Sequence, residues 1–211
     1  MKDIILIGGG GHCKSVIDTV RELHEYNISG ILDLKKKLGT RIDGIEIIGA
    51  DEELGYYYKQ GIEYVFITLG SIGDTELRYS IYQKALALGY KFPVIIDNTA
   101  IVSKNTRIGQ GTFVGKGAII NSGTSIGTNC IINSGVIVDH DCNVGDFCHI
   151  ASGSTLSGGI IVGNHTHIGT NSTVIQNIKV GSNSVIGAGS VVVKDIGNCT
   201  KAYGNPCREV N

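Results

Sequence analysis

The 211-residue sequence has no tryptophan, two prolines and few aromatic residues, which make up 6% of it. It also has no excess of either charge, since 18 basic and 19 acidic residues give a formal net charge of −1. Proteins that bind nucleic acid or membrane surfaces usually carry a clustered basic excess, so we expect neither partner. Hydrophobic residues make up 42% of the chain, which is enough for a core and argues against disorder.

Long apolar stretches are absent too, because no run reaches the roughly 18 residues that a membrane-spanning helix needs. The first residues, Met1 to Ile7, read as a strand and lack the positive segment and cleavage site of a signal peptide. We therefore expect a cytoplasmic protein whose six cysteines are thiols and form no disulfide framework.

Glycine, by contrast, is abundant, with 31 residues, and the second half of the chain repeats with a period of six. From Val102 to Val192, every sixth residue is Val, Ile or Leu. This period fits neither an α-helix (about 3.6) nor an alternating strand (about 2.0), and it is typical of a hexapeptide β-helix. Because three hexads close one triangular coil of 18 residues, the pattern predicts a solenoid of a little over five coils.

Within each hexad, we expect the aliphatic residue and the small residue four places later to point inward. Cys130, Cys142 and Cys148 occupy the small position, so we interpret them as packing residues and not as catalytic or metal-binding thiols. Gly, Asn or Asp often follows the aliphatic residue directly, and we expect these residues to adopt the positive φ of tight corners.

The first half of the chain predicts a small Rossmann-like α/β domain, in which strands alternate with helices. Ile4 to Ile7 is a continuous apolar run typical of a buried parallel strand, and Ser15 to His24 carries the apolar stripe of a helix. The other predicted elements are strands at Ile28 to Asp33, Ile45 to Ile48 and Tyr64 to Leu69, and a helix from Thr75 to Leu88. The predicted domains are residues 1–96 and, for the solenoid, residues 97–211.

A glycine loop, Gly8 to Gly11, follows the first predicted strand at a point where a helix N-terminus can hold a phosphate. Asp33 lies about 20 residues further on, where such folds often place an acid on a ribose. The domain is too short for a dinucleotide enzyme, and Cys13 replaces the third fingerprint glycine, so a nucleotide sugar fits better. Two alternatives stay open: the glycines only form a tight turn, and His12 is an ordinary first-turn residue.

The sequence VDHDC at 138–142 is the sharpest chemical motif. Because its first and last residues point inward, we expect His140 to project from the middle of a flat face, where a pocket requires a neighbouring subunit and three-fold association suits the prism. His140 is the candidate general base, and Asp141, or as a second choice Asp139, would raise its basicity. Gly158 follows 18 residues later, so its N–H would stack over His140 as an oxyanion donor.

His149 and His167 are also 18 residues apart, so we expect them to stack on adjacent coils, with His165 nearby. Several histidines in this half of the chain suggest a possible zinc site. Their spacing lacks a compact third and fourth ligand, so we expect no metal and interpret His149 as a pocket wall.

Taken together, these motifs resemble the hexapeptide-repeat sugar acetyltransferases of the sialic acid O-acetyltransferase and UDP-4-amino-sugar (bacillosamine-type) N-acetyltransferase family. The resemblance covers essentially the whole chain. The residues that carry it are the Gly8-to-His12 loop, Asp33, Gly70, the Asp139-His140-Asp141 block, Gly145 to His149, and Gly204-Asn205-Pro206. The chain departs from the family at Leu34, where the N-acetyltransferase has a second acid, and at Cys207, where alanine is usual.

This resemblance implies an α/β Rossmann-like domain followed by a left-handed parallel β-helix, a homotrimer, acetyl-CoA as co-substrate and a nucleotide-linked sugar as acceptor. It implies His140 as the general base, with Asp141 raising its basicity. The implied acetyl-CoA positions are His149, Gly158, Thr170 and Ala188. The implied nucleotide-sugar positions are Gly10, Gly11, His12, Asp33, Leu34 and Gly70.

The expected reaction is direct acetyl transfer to the amine of a nucleotide-activated 4-amino-4-deoxy sugar. O-acetylation of a sialic acid or a related sugar by the same fold is an alternative that the sequence does not separate. A non-catalytic nucleotide-sugar scaffold is another, although the loss of His140 or Gly158 that would mark it is not seen. A sugar-nucleotide pyrophosphorylase does not fit, because it needs a long N-terminal domain with a basic glycine-rich loop.

Overall fold

The structure, a computed structural model, describes residues Met1 to Val210; Asn211, the end of the predicted second domain, lies outside it. The chain forms two compact units. The first contains Met1–Gly70 and Glu76–Ile95, and the second contains Ser71–Thr75 and the chain from Ile96 onward. None of the helices between Met1 and Val210 combines the length and apolar character that a bilayer crossing requires.

The first unit is a five-stranded sheet with helices, in the spatial order β3-β4-β2-β1-β5. Its strands are β1 Lys2–Ile7, β2 Tyr26–Leu32, β3 Arg41–Ile42, β4 Ile45–Gly49 and β5 Tyr64–Ile67. Its helices are α1 Gly11–Leu23, α2 Leu54–Lys59 and α3 Glu76–Leu88, with short 3-10 turns at Lys35–Lys37 and Asp51–Glu53. Strands β4, β2, β1 and β5 are parallel, so their carboxyl ends share one edge of the sheet.

The predicted apolar strand is confirmed, because Ile4, Ile5, Leu6 and Ile7 are at most 2% exposed. The predicted start of the first helix is wrong by four residues, since α1 begins at Gly11 and not at Ser15. The buried stripe of this helix starts at Cys13, which packs as an apolar residue and continues the spacing of Val16, Ile17 and Val20.

The second unit is a stack of two-residue strands that form three parallel sheets. Sheet 1 contains β7 Ile101–Val102, β10 Ile119–Ile120, β13 Ile137–Val138, β16 Thr155–Leu156, β19 Thr173–Val174 and β22 Val191–Val192. Sheet 2 contains β8 Arg107–Ile108, β11 Ser125–Ile126, β14 Asn143–Val144, β17 Ile161–Val162 and β20 Lys179–Val180. Sheet 3 contains β9 Phe113–Val114, β12 Ile131–Ile132, β15 His149–Ile150, β18 His167–Ile168 and β21 Val185–Ile186. Sheet 3 also includes β6 Ile95–Ile96, which is next to β9. At its other end it includes the antiparallel pair β23 Lys201–Tyr203 and β24 Arg208–Val210, of which β23 is next to β21.

The register of the stack is 18 residues, as the hexads predict. Ile119 pairs with Ile137, which pairs in turn with Thr155. The aliphatic hexad residues from Val114 to Val192 are buried, which confirms their inward direction.

The small inward residues form a second ladder inside the solenoid. Thr112 Oγ1 donates a hydrogen bond of 2.7 Å to the carbonyl of Gly127, 15 residues further on. Cys130 Sγ and Cys148 Sγ make the equivalent contacts at 3.0 Å. The prediction that these cysteines are inward packing residues is confirmed, and the contact explains why Thr, Ser and Cys share this position.

The expected place of the positive φ angles is wrong. They occur at the third residue after the aliphatic one, for example at Gly111 and Asn171, and not at the first. Glycine occurs directly after the aliphatic residue for a different reason, because the backbone of the next coil approaches closely there. A Cβ on Gly127 would lie 2.6 Å from the backbone carbon of Gly145 and 2.7 Å from the amide nitrogen of Asp146.

We predict that Gly127→Ala destabilises the second unit, because the added Cβ would overlap backbone that cannot move aside. The expected loss is about 1–3 kcal/mol of unfolding free energy, measured by urea unfolding. Gly117→Asn is the matched control, since Gly117 has φ +65° and no atom near its Cβ position. Asparagine accepts this φ, so the control should lie within about 0.5 kcal/mol of wild type. Equal stability of the two variants would contradict the packing argument.

Candidate active site

His140 and Asp141 lie in a tight turn, not in the middle of a face as the sequence analysis expects. The turn at 139–142 follows β13 and connects sheet 1 to sheet 2, at a corner that we call corner A. Asp141 holds the positive φ of this turn, at +57°. The mid-face expectation fails because the flat part of each hexad is only two residues long.

The two side chains form a hydrogen-bonded pair. His140 Nδ1 lies 2.9 Å from Asp141 Oδ2, and the carboxylate, which only accepts, makes Nδ1 the donor. The imidazole therefore presents Nε2 as the bare, basic nitrogen. The hydrogen bond to Asp141, together with the negative charge of Asp139, raises the pKa of His140 above its ordinary value. Both side chains are well exposed, 63% for His140 and 73% for Asp141.

Asp139 holds the turn and does not contact the ring. Its Oδ1 accepts the backbone N–H of His140 at 2.8 Å and the side-chain amide of Asn121 at 2.9 Å. These two hydrogen bonds lower the pKa of Asp139. Of the two acids considered for tuning His140, Asp141 is thus the one in direct contact.

Gly158 lies directly over the imidazole, one coil further along. A Cβ at this position would be 2.6 Å from both Cε1 and Nε2 of His140, so a side chain here would displace the ring from its present position. The adjacent Gly159 N–H donates to the carbonyl of His140 at 2.9 Å and fixes the two coils together. The Gly158 N–H donates to no other group between Met1 and Val210.

His149 and His167 stack on adjacent coils of sheet 3, as predicted. Their ring centroids are 4.8 Å apart in an edge-to-face contact. His149 Nδ1 donates to the carbonyl of Ser71 at 2.8 Å, which leaves Nε2 as the acceptor nitrogen. His167 is buried, and burial, followed by the proximity of His149, lowers the pKa of His167 to about 4.

Thr170 and Ala188 lie at a different corner from His140. They occupy the turns that follow β18 and β21 and connect sheet 3 to sheet 1, which we call corner C. His140 and Gly158 share corner A. In one chain, the predicted acetyl-CoA position Gly158 therefore lies at corner A, and Thr170 and Ala188 lie at corner C, with the face of sheet 1 between the two corners. His149, the fourth predicted position, lies on sheet 3.

The first unit has a crevice of about 320 Å³ at the carboxyl edge of its sheet. Gly10, Asp33 and Leu34 line it, as the sequence analysis expects for a nucleotide-sugar site. Gly11, His12 and Gly70 are not among its lining residues. Sequence reasoning missed several others, which are Lys37, Asp51, Leu69, Leu77 and Ile81. The only available sign was the lysine run directly after Leu34, which ends at Lys37.

Asp33 is fixed by three donors. It accepts hydrogen bonds from the Gly9 N–H at 2.8 Å, the Leu34 N–H at 2.6 Å and Lys37 Nζ at 2.8 Å. Partial burial alone would raise the pKa of Asp33, but these hydrogen bonds outweigh it and lower the pKa. The carboxylate is therefore ionised and ties the glycine loop to the end of β2.

Between Met1 and Val210, no group of three or more His, Cys, Asp or Glu side chains is arranged to hold a metal ion.

Two family models match the chain. Residues 3–85 match the PglD N-terminal domain, and residues 105–140 and 159–194 match the bacterial transferase hexapeptide (six repeats). No curated protein matches the chain.

Solved structures match it over its full length. PerB from Caulobacter crescentus, in complex with CoA and GDP-perosamine, has a TM-score of 0.93 and 34% identity, covering 100% of this chain and 98% of that one. The acetyltransferase domain of PglB from Neisseria gonorrhoeae, in complex with acetyl coenzyme A, has a TM-score of 0.92 and 33% identity, covering 99% of each chain. WeeI from Acinetobacter baumannii, at 22% identity and a TM-score of 0.85 over the full length of both chains, shares the fold.

The fold, the corner motif and these matches define a left-handed β-helix acyltransferase with a PglD-type N-terminal domain. More narrowly, the chain belongs to the bacillosamine-type sugar N-acetyltransferase family. The resemblance stated from the sequence and the predicted fold class are thereby confirmed.

We predict that Asp141→Asn lowers the pKa of His140, because the amide removes the anionic acceptor while asparagine still tolerates the turn's positive φ. An NMR titration of the imidazole measures this shift directly. Asp146→Asn is the control, since Asp146 accepts the Thr128 N–H at the neighbouring corner and the His140 pKa should not move. An unchanged His140 pKa in Asp141→Asn would show that the pair does not tune the base.

Proposed function

We propose that the protein transfers an acetyl group from acetyl-CoA to the amine of a nucleotide-activated 4-amino-4-deoxy sugar. The observation that carries this proposal is the stack of Asp141, His140 and Gly158 at corner A. It supplies an oriented base and an unengaged backbone N–H side by side. The relatives support it, because PerB is solved with CoA and GDP-perosamine, and PglB with acetyl coenzyme A.

In this mechanism, His140 Nε2 accepts a proton from the sugar amine while the amine nitrogen attacks the thioester carbonyl. Asp141 holds the imidazole in the reactive tautomer and stabilises its protonated form. The N–C bond forms, the C–S bond breaks, and the proton on His140 is available to the departing thiolate. Because transfer is direct, no residue of the chain is acetylated.

Gly158 is the proposed oxyanion donor. Gly158 stacks on His140 and has no side chain, so a thioester oxygen could approach its N–H as the oxygen gains negative charge. His149, Thr170 and Ala188 are proposed contacts for acetyl-CoA.

We infer that the working enzyme is a homotrimer packed through the outward face of sheet 1. This face joins corner A to corner C, so only packing against a copy brings His140 and Gly158 of one chain near Thr170 and Ala188 of another. Its outward residues include exposed apolar side chains, with Ile101 65% and Ile137 37% exposed. A charged face would resist such packing, whereas this apolar one favours it.

The crevice of the first unit is the proposed nucleotide-sugar site. Gly10, Gly11 and His12 form the N-terminal end of α1, where backbone N–H groups favour a diphosphate. Asp33 is placed for a ribose hydroxyl, and Leu34 forms part of an apolar wall. Gly70 follows β5 at the same sheet edge. The cytoplasmic location expected from the sequence stays a prediction.

The direct test is to incubate the protein with acetyl-CoA and a panel of nucleotide-linked 4-amino sugars and sialic acids, and to follow thiol release. Thiol release with an amino sugar, and none with sialic acids, is the expected result. Release only with sialic acids would favour the O-acetylation alternative. Absence of turnover with every acceptor, although nucleotide sugars bind, would favour the scaffold alternative.

We predict that His140→Ala lowers turnover by about 10²-fold or more, because the amine loses its proton acceptor. Steady-state thiol release measures the loss, and light scattering establishes that the assembly is unchanged. His24→Asn is the control, since His24 is a left-handed helix cap in the first unit that asparagine can replace. Wild-type turnover in His140→Ala would remove the proposed mechanism.

We also predict that Ile137→Lys dissociates the trimer and abolishes turnover, because it buries charge at the centre of the proposed interface. Ile161→Lys, at a similarly exposed apolar position on sheet 2, should keep both the trimer and the activity. Sedimentation or light scattering distinguishes them. Dissociation by Ile161→Lys alone would place the interface on another face.

A further inference from the structure

The crevice of the first unit contains side chains that have no role in the proposed acetyl-transfer step. Its walls are mostly aliphatic, and at its rim Leu34 and Leu77 are 57% and 61% exposed. Two exposed leucines facing one slot are suited to the flat faces of a nucleobase. At about 320 Å³, the space is at the lower end for small-molecule sites, so it fits a nucleoside better than a whole sugar nucleotide.

Asp51 is the polar group of this crevice that has no partner. It begins the acidic run 51–53, which is separated from the end of β4 by Ala50, and each acid of the run has a different environment. Glu53 accepts the Ala50 N–H at 2.8 Å, and Glu52 lies 4.0 Å from Lys35. The Asp51 carboxylate, by contrast, makes no hydrogen bond or ion pair with any residue between Met1 and Val210.

The nearby cation does not neutralise Asp51. Lys84 Nζ donates to the backbone carbonyl of Asp51 at 2.7 Å and not to its carboxylate. Asp33, the other acid of the crevice, is already held by Gly9, Leu34 and Lys37. Asp33 therefore keeps room for at most one further donor, such as a ribose hydroxyl, whereas Asp51 offers both carboxylate oxygens to a ligand. Asp51 is only half buried, so the ligand can reach it.

The position of Asp51 relative to Asp33 follows from the sheet order. Strand β4 is next to β2, and both run parallel to β1, so their carboxyl ends open on the same edge. In open α/β sheets, ligands bind outside these ends. With Asp33 at the end of β2 for the ribose, Asp51 at the end of the adjacent strand lies further along the crevice, where the base would extend.

We propose that Asp51 makes this enzyme selective for guanine nucleotides. An ionised carboxylate accepts hydrogen bonds and donates none. Guanine presents two adjacent donors, N1–H and the N2 amino group, and these match the two oxygens of one carboxylate. Uracil and thymine flank their single N3–H with carbonyl oxygens that repel it, and adenine and cytosine place a ring acceptor beside their amino group.

This inference rests on the proposed function, because it assumes that the crevice holds the nucleotide of the acceptor substrate. The departure at Leu34 agrees with it. The family's second acid is replaced there by an apolar wall, and the only unpaired carboxylate of the crevice is Asp51. The relative solved with GDP-perosamine shows that a guanine-linked sugar occurs within the family.

The test is calorimetric titration of the intact protein with GDP, IDP, ADP, UDP and dTDP, which needs no turnover. GDP should bind about tenfold or more tightly than UDP, dTDP and ADP. IDP differs from GDP only by the missing N2 amino group, so it should also bind more weakly than GDP. Asp51→Asn should weaken the binding of GDP about tenfold and change the binding of UDP little.

Glu52→Gln is the matched control, since it neutralises the neighbouring acid, which does not line the crevice. Its affinity for GDP should equal that of wild type. Guanine selectivity would be overturned if GDP and UDP bound with equal affinity, or if Asp51→Asn lowered the affinity for every nucleotide by the same factor. Either result would leave the proposed reaction intact. Failure of every diphosphate to bind would overturn this inference together with the proposed nucleotide-sugar crevice, although acetyl-CoA hydrolysis or transfer would still test corner A.

Discussion

The stacking of each residue on the residue 18 positions along is the constraint on which the second unit depends. An inward aliphatic residue repeats in every hexad, and in most hexads a second inward position holds Ser, Thr or Cys. The first packs the interior, and the second donates to a carbonyl of the neighbouring coil. Because neither position tolerates a slip, outward groups from adjacent coils meet at fixed spacing. The corner that places Gly158 over His140 is a consequence of that register.

Such a scaffold determines what kind of site it can build. A close-packed interior has no room for a substrate, so reacting groups must stand on the outside, at corners where the backbone turns. The His140–Asp141 pair is accordingly exposed, and water screens its interaction. A second surface must cover the pair before it can work on a sequestered thioester. This physical requirement, together with the separation of Gly158 at corner A from Thr170 and Ala188 at corner C, is the reason for proposing an assembly.

Periodicity predicted the solenoid well, because inward and outward directions repeat with the sequence. It misled at the corners, where two different needs both select glycine. Gly127 is required by the approach of the next coil, whereas Gly117 occupies a positive φ, and composition alone does not separate the two cases. Periodicity likewise led to the expectation that His140 lies on a flat face, whereas it lies in a corner turn. The pairing of His140 with Asp141 was still predictable, because adjacent residues in a tight turn stay close whatever the exact register.

In the first unit, the sequence indicated the glycine loop and Asp33, since both follow recognisable strands. Asp51 and Leu77 were beyond its reach, because Asp51 joins the crevice through the placement of β4 next to β2, and Leu77 joins it through α3. No local pattern encodes this order.

The tuning of His140 shows how assembly and chemistry depend on each other. Asp141 raises the pKa of the imidazole, which makes it a stronger base but leaves less of it unprotonated at a given pH. Covering the ring with a second chain would act in the opposite direction, because desolvation disfavours the charged imidazolium. Burial at the proposed subunit seam would therefore counter part of the rise that the hydrogen bond to Asp141 causes in the pKa of His140. In the proposed trimer, the carboxylate and the seam would act together on one base: the carboxylate would stabilise the imidazolium once the proton arrives, and the seam would favour the neutral imidazole that receives it.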